Sequence, residues 1–310
     1  MFLTSFQSVI TLLFIGLIGF IITYRRMVDK DILGLLSPLA LDIALPAMIF
    51  ADIVTKFDPA VNRFWYRMPL LWVVFTVFAF IVSILSSFIA KKEFKREMAV
   101  TMMYQNAIFF PLAIIASMYG SGSSMILQLF FFTFFNAAFI FNTAHLFFKT
   151  EKTSFDLKRT LHPTLVATVL AVLVKLFGFG RFIPTFATDS LRMVGSMSIP
   201  LLMIILGGNI FIDFKNKGKI HYFEIVKFVL IKNFLMPIAA IFILKFTNLP
   251  HDVSFIILLQ AAVPPITATP ILVERYGGNR EIVNQFVLAS FLASMLSIPL
   301  MIYLMNIIMY

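Results

Sequence analysis

The 310-residue chain is 60% hydrophobic with 38 phenylalanines, only 13% of it is charged, and its net charge is +10; mean hydropathy is +0.96. No soluble core needs so much apolar surface, and at about 20 residues per membrane-spanning helix the length accommodates roughly ten spans and no separate soluble domain. The lack of cysteine excludes disulfides, thiolate metal sites and cysteine nucleophiles, and the basic residues fall between apolar runs, as topology signals rather than a nucleic-acid surface.

Spans are predicted at about 5–24, 33–54, 68–90, 98–119, 122–148, 161–180, 188–212, 222–246, 253–276 and 282–309. No basic residue precedes the first apolar run, whereas Arg25 and Arg26 follow it. That is the reverse of a cleavable signal peptide, so the run reads as a retained first span. Sixteen Lys and Arg fall in the connections after the odd-numbered spans and six on the opposite side. The basic connections are therefore expected in the cytoplasm and both termini outside.

The polar stretch 149–160 divides the chain almost at its midpoint. It predicts residues 1–148 as a first five-helix repeat, 149–160 as a cytoplasmic linker and 161–310 as a second repeat. An odd number of spans per half inserts the halves in opposite senses, the inverted-repeat construction of many secondary transporters. Prolines support this. Pro46 in span two answers Pro200 in span seven, and Pro111 in span four answers Pro264, Pro265 and Pro270 in span nine. Proline removes a backbone donor and clashes with the carbonyl one turn earlier, so span nine must break. Freed carbonyls at bilayer depth are tolerated only inside protein or beside an aqueous cavity. Both broken spans also run from a glutamine to Tyr-Gly: Gln105 to Tyr119-Gly120 and Gln260 to Tyr276-Gly277.

The I-A-L-P-A-M-I-F run around Pro46, the series Gln105-Asn106, Pro111, Tyr119-Gly120, the run Ile199 to Gly208, and the A-V-P-P-I-T-A-T-P-I-L-V series together resemble the auxin efflux carrier family, which has bacterial malate and malonate permeases. The resemblance spans essentially the whole chain. It implies that spans four and nine cross at their broken points near the midplane, with an organic anion bound beside the crossing. Phe109 and Phe110 depart from the small residues often found before the proline in that family.

Candidate residues follow from depth and chemistry. Asn106, five residues before Pro111, brings an amide to the point where span four opens; the plainer reading is a hydrogen bond to a neighbouring helix. Gln260 and Thr267 bracket Pro264 and Pro265, where a half-helix start would present free N–H groups to an anion; in the alternative, Thr267 and Thr269 cap the helix and touch no ligand. Gln105 is expected on a different face from Asn106. Lys232 lies about ten residues into span eight, too deep to snorkel easily, and needs a partner or a wet cavity. Of the acids flanking Pro46, Asp42 is expected buried and Asp52 solvated near the span end. Asp42, Lys232 and Asn209, the last a loose mirror of Asp52, are the candidates for coupling or charge tuning. Glu224 and Lys227 read as interfacial.

No nucleotide motif, catalytic elbow or paired metal-ligand histidines occur in the sequence, so a transporter is expected and not an enzyme, with no cofactor and no metal. Its expected partners are a small organic anion and membrane lipid, with proton or sodium coupling and a homodimer left open, and no nucleic acid. A sodium-coupled symporter of the bile acid type, a channel and a polytopic intramembrane enzyme are the alternatives.

Overall fold

The computed structural model describes residues 2–62, 64–148, 161–215 and 219–309; the predicted linker 149–160 lies outside them. The described chain is helical throughout: α1 (Phe2–Tyr24), α2 (Lys30–Lys56), α3 (Arg67–Ile89), α4 (Lys95–Met103), α5 (Phe109–Tyr119), α6 (Ser124–Phe132), α7 (Asn136–Thr143), α8 (Pro163–Leu176), α9 (Thr185–Ser196), α10 (Ser198–Lys215), α11 (Tyr222–Lys245), α12 (His251–Ala262), α13 (Thr269–Arg275) and α14 (Arg280–Met309). Six helices among the described residues are long and apolar enough to cross a membrane, with shorter apolar helices beside them.

Local chemistry sets the boundaries. The Asp29 carboxylate caps α2 by accepting from the Ile32 N–H at 2.9 Å, and Ser123 accepts from Met125 N–H to start α6. The repeated Tyr-Gly landmark has a conformational cause: Gly120 and Gly277 adopt φ +84° and +76° after α5 and α13, a region that favours glycine.

Prolines act differently by place. Pro46 and Pro237 lie within α2 and α11, each just after a π-helical stretch, Leu39–Ala44 and Leu230–Leu235, that carries the helix past the missing donor. Pro200 instead sits in the first turn of α10, after α9 has ended at Ser196, where its missing N–H costs little. The predicted equivalence of Pro46 and Pro200 is thus not one of local geometry. The single predicted span 122–148 is interrupted between Phe132 and Asn136. There the Thr133 hydroxyl donates to the Leu129 carbonyl at 2.8 Å, a back-bond that loosens helices.

Helices gather in two groups, each drawing from both sides of residues 149–160. In one, α2 packs on α8, α9 and α10, and α1 packs on α10. In the other, α3 packs on α4 and α6, while α14 packs on α4, α11, α12 and α13. The groups meet where α1 and α10 lie against α5 and α14. Glycine permits the closest approach: a Cβ on Gly207 would overlap the Gly16 carbonyl, and one on Gly19 the Ile204 carbonyl.

Candidate functional site

The two proline-broken segments meet. Between α4 and α5, and between α12 and α13, the backbone leaves the helical path, and Gln105 pairs with Pro265 in an isolated antiparallel β-bridge. Asn106 N–H donates to the Pro264 carbonyl at 2.9 Å and Ile266 N–H to the Tyr104 carbonyl at 3.0 Å. These segments thus satisfy one another's backbone in place of water.

Three of the four carbonyls deprived by the prolines of the crossing can be followed to a new donor. Pro111 deprives the Ala107 carbonyl of its helical partner, and Gln260 Nε2 donates to it at 2.8 Å. Pro265 deprives the Ala261 carbonyl, and Lys232 Nζ donates to that one at 3.0 Å. Pro270 deprives the Ile266 carbonyl, which accepts from the Thr269 N–H at 3.0 Å and its hydroxyl at 2.7 Å. Lys232 is fully buried, beside the Met236 sulfur at 3.6 Å. Its neighbour Asn233 is tied to α14: Nδ2 donates to the Ser290 carbonyl at 3.0 Å and the Ser290 hydroxyl donates to Asn233 Oδ1 at 2.8 Å.

Chemically, the helix ends divide into two kinds. The C-terminal ends of α4 and α12 point carbonyls at the crossing, where Gln105 Nε2 donates to that of Met102 at 3.4 Å and Lys232 to that of Ala261. The starts of α5 and α13 bring the positive ends of two helix dipoles to the same place. Asn106 lies beside them, buried, and its Oδ1 has no hydrogen-bond partner. An unsatisfied buried amide is an open hydrogen-bonding position, and its oxygen and nitrogen can exchange places by a flip.

The predicted residues are distributed as follows. Asn106, Pro111, Gln260, Pro264 and Pro265 are all buried at or next to the crossing, and Thr267 is half-buried within the break. The Thr269 hydroxyl donates back to the Ile266 carbonyl, and the start of α13, with Ala268 at its N-cap, has no side-chain cap. The expectation for the acids of α2 is reversed. Asp42 is 45% exposed and lies 3.7 Å from His162, whereas Asp52 is 3% exposed and pairs with Lys56 at 2.8 Å. Position along α2 explains this: from Ala44 to Val54 all residues but Phe50 are buried, where α2 packs on α8 and α9, whereas Asp42 and Ile43 before them are exposed. Asp42 therefore stands apart from Lys232 and the crossing. Asn209 is half-buried on α10 and takes no part in the hydrogen bonds described at the crossing. Glu224, expected at the interface, is buried and accepts from Lys227 at 2.7 Å and from the Lys91 N–H at 3.2 Å.

Sequence reasoning missed Thr76, Tyr104 and Asn136, which with Gln105 and Gln260 line a small cavity of about 10 Å³ behind the crossing. Their spacing in the chain carries no shared signal. A wider cavity of about 490 Å³ between α1, α10 and α14 is lined by apolar side chains and offers an anion no side-chain donor.

Comparison with known proteins agrees with this architecture. The model of the family described as membrane transport protein matches the chain twice, over residues 4–158 and 152–302. A relative, Protein PIN-LIKES 1 of Arabidopsis thaliana, is 26% identical over 139 residues, which are 41% of this chain and 29% of the relative's length. The chain thus matches less than a third of that protein. Two helices broken by proline that complete each other's backbone, in a chain matched by the family model over nearly its whole length, make it a multi-pass member of the membrane transport protein family, that of the auxin efflux carriers, which is a family of transporters and not of enzymes.

Proposed function

We propose that the protein is a ten-span secondary transporter that moves a small organic anion across the cytoplasmic membrane by alternating access. Its spans form two inverted five-helix repeats, 1–148 and 161–310, and both termini lie outside. The observation that carries this reading is the crossing itself: two dipole-positive helix starts, the buried amine of Lys232 and the unpartnered amide oxygen of Asn106 lie where the two breaks join. Asn106, Thr267 and the loosened backbone hold the carboxylate. Lys232 supplies a buried hydrogen-bond donor nearby, and the group containing the crossing rocks against α1, α2 and α8–α10.

Malate or malonate is the substrate class that the family resemblance favours. Coupling to protons or to the membrane potential fits better than coupling to sodium, because Lys232 already takes the Ala261 carbonyl that a cation beside the crossing would need.

The test is uptake of labelled malate and malonate into liposomes holding the purified protein, under an imposed proton gradient and under a potential alone. Saturable uptake that Asn106→Ala abolishes is expected, with the variant still folded and inserted. Uptake indifferent to the substitution would move the site elsewhere, and no uptake of either acid would retire this substrate class.

A further inference from the structure

Behind the crossing, the small cavity lined by Trp72, Thr76, Tyr104, Gln105, Asn136 and Gln260 adjoins a larger one of about 460 Å³ between α3 and α7. They share the walls Thr76, Met103 and Phe139. The outer cavity is apolar except for Thr76 and Thr143, and its rim residues Val77, Phe80 and Leu146 are exposed. In a membrane-spanning bundle that rim faces lipid. Set side by side across these three residues, they give an apolar mouth toward the bilayer and a polar floor at the back of the crossing, which an occupant spanning both would join into one passage. Its size is within the range of small-molecule pockets.

Proton bookkeeping tells which head group the floor accepts. Thr143 has one hydroxyl proton, and it goes to the Phe139 carbonyl at 2.6 Å. The contact between the Tyr104 and Thr143 hydroxyls, 2.8 Å, must therefore have Tyr104 as donor. The Thr76 hydroxyl likewise donates to the Trp72 carbonyl at 2.8 Å. Both Tyr104 Oη and Thr76 Oγ1 are left with acceptor lone pairs and no proton to give. A head group with one proton to donate satisfies one of them.

We propose that this passage is a binding site for a membrane-borne amphiphile carrying a free hydroxyl on an apolar body, taken up sideways from the bilayer. It is separate from the anion site of the preceding section. The hydroxyl sits by Thr76 and Tyr104 and the body lies in the outer cavity along Phe80, Phe139 and Phe147. An occupant there bears on Gln260, which holds the Ala107 carbonyl, and so on the geometry of the crossing.

Of the two tryptophans, Trp72 lines the inner cavity and is buried, so a Trp65→Phe protein reports on the site by fluorescence. In liposomes, a decanol brominated beside its hydroxyl is expected to quench Trp72 saturably. Thr76→Leu or Tyr104→Phe, whichever removes the acceptor that the single hydroxyl proton uses, should raise the half-saturating concentration about fivefold, the worth of one hydrogen bond. Bromodecane, which has the chain without the donor, should bind about as weakly to the parent protein. Quenching that climbs linearly with bilayer loading, or that is the same for alcohol and bromoalkane, or that neither variant alters, would overturn the proposal. None of these readings depends on transport, so the site stands or falls independently of the substrate.

Discussion

Asn106 and Gln260 sit within the same crossing yet carry opposite burdens. Gln260 donates to a carbonyl that has lost its helical partner, whereas the buried oxygen of Asn106 serves no described group. Replacing Gln260 with leucine therefore strands the Ala107 carbonyl, at a cost of about 1–3 kcal/mol, and the purified variant is expected to melt several degrees lower. Asn106→Ala removes nothing the fold depends on and should leave the melting temperature within about a degree of the parent while uptake is lost, since an unpaired buried polar group adds no stability. Thermal melts of both variants beside the uptake assay separate the two roles. Equal destabilisation would mean that Asn106 is structural.

At the scale of the element, broken helices are where sequence and structure agree most closely. Pro111 and the cluster Pro264, Pro265 and Pro270 mark their breaks, although a lone proline does not always break a span, since Pro46 and Pro237 stay within α2 and α11. What prolines do not announce is the donor that replaces them. Lys232 reaches the Ala261 carbonyl from another helix, and nothing in the chain near either residue encodes that pairing. The reversal of Asp42 and Asp52 has a related cause: hydropathy reports how deep a residue lies, whereas burial depends on which neighbours cover it. The interruption at Thr133 escaped for want of any proline or glycine. Restoring a donor at one break tests the element directly. Pro265→Ala returns an N–H that competes with Lys232 for the Ala261 carbonyl, while Pro264 still holds Val263 extended at the end of α12. The expected outcome is an unchanged or higher melting temperature together with lost uptake, read on the same preparations.

For the whole molecule, the predicted orientation is open to a simple check, since the chain has no cysteine of its own. A membrane-impermeant maleimide added to intact cells should label Ser121→Cys, in the connection after α5, and spare Lys92→Cys, before α4; the opposite pattern would invert the topology. Packing between α1 and α10 offers a second check. Gly207→Ala puts a methyl into the Gly16 carbonyl and must push the helices apart, whereas Gly34→Ala meets nothing within 4 Å. The first should lower yield and melting temperature sharply and the second should leave both unchanged, as size-exclusion profiles and melts would reveal. The bond from Gln260 to Ala107 closes 153 residues of sequence, and this has a consequence for biosynthesis. A ribosome adding about 5–20 residues per second needs roughly 8–30 s to travel that distance. For that interval the nascent first half holds an open carbonyl at bilayer depth, and it has to be shielded by the insertion machinery until its second half arrives.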